Sequence, residues 1–226
     1  MAAPIDFYFD FISPYAYLAW EPVQALAAAH GRELALYPVL FAGLLEHWGQ
    51  LGPAEIAPKR IYTFKQVSRR AAGRGLHLSP PPAHPFNPLL ALRLTSLELE
   101  PERRVALIDC LFRATWGGGP GVASAEVVAQ VLRAAGFDAE ALLEAATRPE
   151  NKRRLIANGQ RAIAAEVFGV PTMVADGELF WGDDSLGDLD LFLRGEDPLD
   201  HDSYQRWAGL PVGVQRDAAR SRTPKK

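Results

Sequence analysis

Strand-like patterning in this chain of 226 residues is confined to its two ends, and the stretch between them reads as helix and loop. Ile5 to Phe11, IDFYFDF, alternates apolar and mixed residues as a strand does. Leu34 to Leu40, LALYPVL, is a second strand, and Pro38 suits it to a sheet edge because proline donates no ladder hydrogen bond. Between them Ser13-Pro14 marks a helix start, a capping serine followed by proline at the first helical position. That helix runs from Tyr15 to about His30 and stops near Gly31. The opening is therefore β-α-β, the beginning of a parallel sheet. The next strand signals come only at Pro171 to Ala175, PTMVA, and Glu178 to Trp181, joined by the tight-turn pair Asp176-Gly177.

The middle is helical. Ala57 to Gly75 is basic and amphipathic, and Leu78 to Pro88, LSPPPAHPFNP, is a proline-rich loop that suits neither helix nor ladder strand. Helices are predicted over Leu89 to Leu99 and Glu102 to Thr115, before the break at Gly117-Gly118-Gly119-Pro120-Gly121. Others follow at about Ser124 to Ala135, Ala139 to Ala146 and Asn151 to Val167, with a closing helix at Ser185 to Leu193. The order β-α-β, helices, β-β-α is that of an α/β thioredoxin-like fold with a large helical insertion, about residues 43–150, in one domain over 1–195. Residues 196–226 are polar and end in RSRTPKK, which predicts a flexible C-terminal tail.

Composition excludes several classes. The formal net charge of -3 gives no electrostatic footprint for nucleic acid or an anionic membrane surface. The start, MAAPIDFYFDF, lacks a secretory pattern, and no apolar run approaches the roughly 20 residues of a spanning helix. A soluble, cytoplasmic protein is the expectation. The single cysteine, Cys110, permits no intrachain disulfide and sits in IDCLF, which reads as a buried turn with an inert thiol. No metal-ligand set is assigned.

Three short constellations carry chemistry. Ser13 places a hydroxyl at a helix start, where unpaired backbone N–H groups attract anions and stabilise a thiolate; its ordinary reading is a plain N-cap. Pro171 opens a short strand after Phe168-Gly169-Val170, and a cis bond there would turn the Val170 backbone toward a peptide-like ligand. Its ordinary reading is an edge-strand proline. Asp183 and Asp184 stand at the start of the last helix, either as capping carboxylates or as a site for an ammonium group.

The segments FYFDFISPYAYLA, HPFNPLLALR and NGQRAIAAEVFGVPTMVADGELFWGDD resemble the 2-hydroxychromene-2-carboxylate isomerase family, over roughly residues 4–194. That family is close to the kappa-class glutathione transferases and shares their DsbA-like thioredoxin fold. The resemblance implies glutathione as cofactor. It implies that Ser13, with Pro14 and Tyr15, meets the glutathione sulfur, and that Val170 before Pro171 pairs with its cysteinyl backbone. Asp183 and Asp184 match the pair that holds the γ-glutamyl end, and Asn87 and Arg93 match a polar pair of the family's proline-rich loop and following helix, expected with Lys59 to bind substrate. Gln50, after Gly49, stands where the family often has an asparagine that contacts glutathione, and keeps that amide on a side chain one methylene longer. Lys59, Arg60 and Lys65 lie on the basic helix and could receive carboxylates; their ordinary reading is a solvated face. The implied reaction is glutathione-dependent cis/trans isomerisation with ring opening in aromatic degradation, by reversible thiolate addition to an enone-like pyruvate. Ser13 is not itself a covalent nucleophile in this reading. The alternatives are glutathione conjugation as in the kappa class, disulfide exchange, which lacks a cysteine near Ser13, and a non-catalytic peptide-binding module. The family's habit and the Trp-bearing segments Leu44 to Trp48 and Trp116 predict a homodimer acting on a small aromatic substrate.

Overall fold

A computed structural model describes residues 3–214. Its strands are β1 (Ile5–Phe9), β2 (Leu34–Pro38), β3 (Thr172–Ala175) and β4 (Glu178–Trp181). They form one sheet in the order β2-β1-β3-β4. β1 runs parallel to β2, with Ile5 opposite Leu34 and Phe9 opposite Pro38. β3 is antiparallel to both β1 and β4. The two ends of the chain thus meet at the β1–β3 pair. Pro38 lies on the edge strand β2, as its missing N–H requires.

Helix α1 (Pro14–Ala29) connects the parallel pair. Seven helices separate β2 from β3: α2 (Phe41–Trp48), α3 (Ala57–Gly73), α4 (Leu89–Thr95), α5 (Pro101–Trp116), α6 (Ala125–Ala134), α7 (Ala139–Thr147) and α8 (Pro149–Ala164). α9 (Leu186–Leu193) follows the hairpin. The segment expected to be a tail carries α10 (His201–Ala208), with Trp207 71% and Leu210 61% exposed. Residues 215–226 of that segment lie outside the described ones.

The strand alternation read from the sequence divides the core in two. Ile5, Phe7 and Phe9 face the larger cluster, with Trp20 of α1, Met173 of β3 and the residues of α4 to α7. Tyr8 points the other way, to Val39, Leu44 of α2, Ala162 of α8, Val167 and Val170. Phe112 of α5 joins sheet to insertion, its ring centroid 4.6 Å from Phe11, 5.8 Å from Phe9 and 6.0 Å from Trp20. Trp116 and Leu44, expected to face a second subunit, are both buried at 1% exposure in these cores. Their apolar surface is used within the chain. Cys110 is half-buried, donates to the Leu107 carbonyl at 3.2 Å, and its thiol is pushed by burial up to about 12.

Because Phe112 touches both layers, Phe112→Ala is expected to cost about 3–5 kcal/mol, the range for emptying a buried aromatic site. Urea unfolding followed by circular dichroism and tryptophan fluorescence should show one shared, down-shifted transition. Separate transitions by the two probes would contradict a single cooperative core.

Candidate functional site

The site is built on the loop from Asp10 to Ser13, between β1 and α1. Ser13 caps α1: its Oγ accepts from the Ala16 N–H at 3.2 Å, and Pro14 takes the first helical position. The Ser13 N–H donates to the Asp10 carbonyl at 3.1 Å. The same Ser13 hydroxyl donates to the Val170 carbonyl at 3.1 Å, across 157 residues of sequence. The Val170–Pro171 peptide is cis, and Thr172 Oγ1 closes the turn on the Gly169 carbonyl at 2.8 Å. The cap and the proline turn, read separately in the sequence, are therefore one hydrogen-bonded unit.

Above this unit lies a cavity of about 550 Å³. Phe41 and Leu45 of α2, Tyr62 and Phe64 of α3, Phe168 and Trp181 supply apolar walls. The Phe168 and Trp181 rings lie 5.2 Å apart. Gly169 must lack a side chain here, since a Cβ on it would stand 2.5 Å from the Trp181 indole nitrogen. Polar groups reach the same space from Ser13, Tyr15, Gln50, Lys59, Arg70 and Asp184. Such a mainly apolar concavity with a few convergent polar groups is the usual form of a small-molecule site.

Electrostatics concentrate at one end. Asp183 has no exposed side-chain surface, and its carboxylate faces two arginines of the α3 end: Arg70 hydrogen-bonds Oδ1, and Arg74 lies 2.8 Å from Oδ2. Arg70 also donates to Asp184 Oδ2 at 3.0 Å and sits 5.5 Å from the Tyr15 ring centroid. The Arg70 hydrogen bond holds the Asp184 carboxyl below its usual range, while burial pushes Asp183 above it despite both guanidinium groups. Tyr15 Oη donates to Gln66 Oε1 at 2.6 Å.

At the other end Asp10, fully buried, accepts from Ile12 N–H at 3.0 Å and from Phe41 N–H at 2.9 Å. It thereby caps α2, whose own N-cap Leu40 offers no side-chain bond. Burial pushes the Asp10 carboxyl up to about 7, against the pull of these N–H groups.

Of the residues singled out from the sequence, Ser13, Pro14, Tyr15, Gln50, Lys59, Arg60, Val170 and Asp184 line the cavity. Pro171 and Asp183 are buried and do not line it. Lys65 is exposed outside the lining. Asn87 and Arg93 are also outside: Asn87 Oδ1 accepts from Leu89 N–H at 3.0 Å, and Arg93 sits on α4 with its carbonyl bonded to Asn151. Sequence reasoning missed Asp10, Arg70, Arg74 and His84. Arg70 and Arg74 carried a signal, two cations one helical turn apart on α3, with two carboxylates near the other end of the chain in want of partners.

The chain belongs to the DSBA-like thioredoxin domain family, whose model matches residues 4–194. Within that fold it is similar to a 2-hydroxychromene-2-carboxylate isomerase of Sphingobium xenophagum, 28% identical over 195 residues that span 85% of this chain and 99% of that protein. It is similar also to glutathione S-transferase kappa 1 of Caenorhabditis elegans, 23% identical over 209 residues, 86% of this chain and 92% of that one. A solved 2-hydroxychromene-2-carboxylate isomerase superposes with a TM-score of 0.77 at 25% identity, over 92% of this chain and 99% of the other. The relatives are thus isomerases and glutathione transferases, and the resemblance read from the sequence motifs stands.

Removing Arg70 leaves the buried Asp183 with Arg74 alone. Breaking a buried ion pair costs on the order of 3–5 kcal/mol, and the remaining arginine places Arg70→Ala toward the lower end. An under-compensated Asp183 has a raised folded-state pKa. The deficit then appears above the unfolded carboxyl value and shrinks as pH falls toward it. Urea midpoints of wild type and variant should converge between about pH 7 and about pH 4.5.

Proposed function

We propose that this chain is a glutathione-dependent isomerase of the 2-hydroxychromene-2-carboxylate type. The observation that carries the reading is the Ser13 hydroxyl at the N-terminus of α1, bonded to the Val170 carbonyl beneath a largely apolar cavity. Glutathione, when bound, would supply a thiolate whose reversible addition converts an electrophilic double bond into a rotatable single bond.

The residues present fit such a ligand. Ser13 offers a hydroxyl that can turn from the Val170 carbonyl to a thiolate while still accepting from Ala16 N–H. The α1 terminus adds the positive end of its dipole. Asp184, ionised and partly committed to Arg70, keeps an oxygen for an ammonium group. Arg70, Lys59 and Gln50 offer donors to carboxylates. The aromatic walls suit a planar substrate.

Conjugation of glutathione to an electrophile is the second reading, favoured by the kappa-class relatives, and it uses the same residues. Disulfide exchange requires an attacking thiolate, and no cysteine lines the cavity. No helix among the described residues is long and apolar enough to cross a membrane. The reading assigns the protein to the cytoplasm, where glutathione is abundant, and to a homodimer. Ile61 of α3, 58% exposed outside the cavity, supports an apolar contact. A monomer by light scattering at micromolar concentration would remove the dimer.

Saturable glutathione binding by calorimetry is the first test. In Ser13→Ala the bound thiol should titrate at higher pH by its thiolate absorbance. Turnover should fall by about one to two orders of magnitude, the worth of a hydrogen bond to a charged group. Loss of the cap should cost about 1 kcal/mol in a thermal melt. An unchanged bound-thiol pKa in this variant rules out the role given to Ser13.

A further inference from the structure

His84 belongs to the proline-rich loop, 72 residues from Ile12 in sequence, yet its Nε2 lies 3.0 Å from the Ile12 carbonyl. A carbonyl only accepts, so Nε2 carries the proton and Nδ1 carries a lone pair. That Nδ1 is buried without any hydrogen-bond partner. The half-buried ring packs against Phe64 at 5.3 Å, Trp116 at 5.6 Å and Phe86 at 6.3 Å between centroids, and another part of it lines the cavity. A second proton on this imidazole would create a buried donor with no acceptor. It would also place a cation near Arg60, whose guanidinium sits 5.7 Å from the Phe64 ring centroid. Burial, and then Arg60, accordingly hold the imidazole below its ordinary value, against the favourable Ile12 bond.

We propose that His84 is a positioning residue for Ser13: neutral, it locks the Ile12 carbonyl and so the loop that carries Ser13, and protonated, it leaves for water and releases that loop. The inference rests on the cavity being the ligand site, but its first readout needs no ligand. The charged and titratable groups facing the ring are Arg60 from α3 alone among those that act on it; Phe64, Phe86 and Trp116 are neutral, and Ile12 contributes its carbonyl. Asp10 holds the same loop through the Ile12 N–H and titrates on its own account. The pH dependence is therefore read as a difference between wild type and a His84 variant.

The linkage sign follows from the lowered imidazole. Closure is fully supported above the ordinary histidine value of about 6.5 and is lost as pH falls below it, by up to about tenfold per pH unit. Hydrogen exchange of the peptide covering residues 10–17, corrected for intrinsic rates between about pH 5 and about pH 8, reads this directly. Wild type should lose protection on the acid side relative to a His84→Gln variant. His84→Gln keeps an N–H donor of similar reach but does not titrate, so only the Asp10 contribution should remain in its profile. His84→Phe, without a donor, should exchange faster at every pH and bind S-methylglutathione about tenfold more weakly at neutral pH, the order of one lost hydrogen bond. That probe has no thiol, so thiol ionisation does not enter. A His84→Gln profile that runs parallel to wild type over the whole range overturns the proposal. Should His84→Phe fail to fold, the wild-type and glutamine profiles still decide. Absence of S-methylglutathione binding to wild type, with the exchange difference intact, would sink the glutathione reading and leave the positioning role standing.

Discussion

Four residues between β1 and α1 have to end a central strand, start a helix and present one hydroxyl, and they are bonded from every side. The Asp10 carbonyl takes the Ser13 N–H, the Phe11 carbonyl takes Trp116 Nε1 at 2.8 Å, the Ile12 carbonyl meets His84, and the Ser13 carbonyl starts α1 by accepting from Tyr17 N–H. Two of those donors come from the helical insertion. A loop whose four carbonyls are all engaged has little freedom left to lose when a ligand arrives, which is what pre-organisation means energetically. The insertion therefore does more than cover the sheet. It fixes the stretch of backbone on which the site stands, and the aromatic contacts of Phe112 hold α5, the source of Trp116, against that stretch.

Charge is arranged around the site in opposite ways. Asp183 is buried but answered by Arg70 and Arg74, a pairing that adds little net stability yet penalises any other register between α3 and the turn after β4. Asp10 is buried and answered only by backbone N–H groups, so its carboxyl rises toward neutrality. Ionising it costs stability, and a chain keeps such a group where its two hydrogen bonds hold together pieces that would otherwise drift.

The four strands were legible because period-two alternation and an Asp-Gly turn are local signals, and Pro38 announced the edge. The cap at Ser13 was legible for the same reason. The weight given to Asn87 and Arg93 came from their place in a recognisable segment. The chain turns between Pro85 and Leu89, so that one caps α4 and the other packs beside Asn151. Arg70, Arg74 and His84 meet site partners 72 to 114 residues away, and a local pattern such as the paired cations at the end of α3 does not say which distant groups they meet.

By itself the amino-acid sequence determined the four strands and most of the helices, their order, and the chemistry available: a hydroxyl at a helix start, a proline turn, a carboxylate pair and no thiol near either. Those are properties of neighbouring residues, governed by propensity, capping and periodicity. Tertiary structure alone decided that the Ser13 hydroxyl meets the Val170 carbonyl, that Asp183 is sealed against two arginines while Asp184 stays at the cavity, and that His84 arrives behind Ile12. Each depends on two distant segments sharing one place. That sharing is set by antiparallel pairing of β1 with β3 and by burial of the aromatic faces, which act on the whole chain at once.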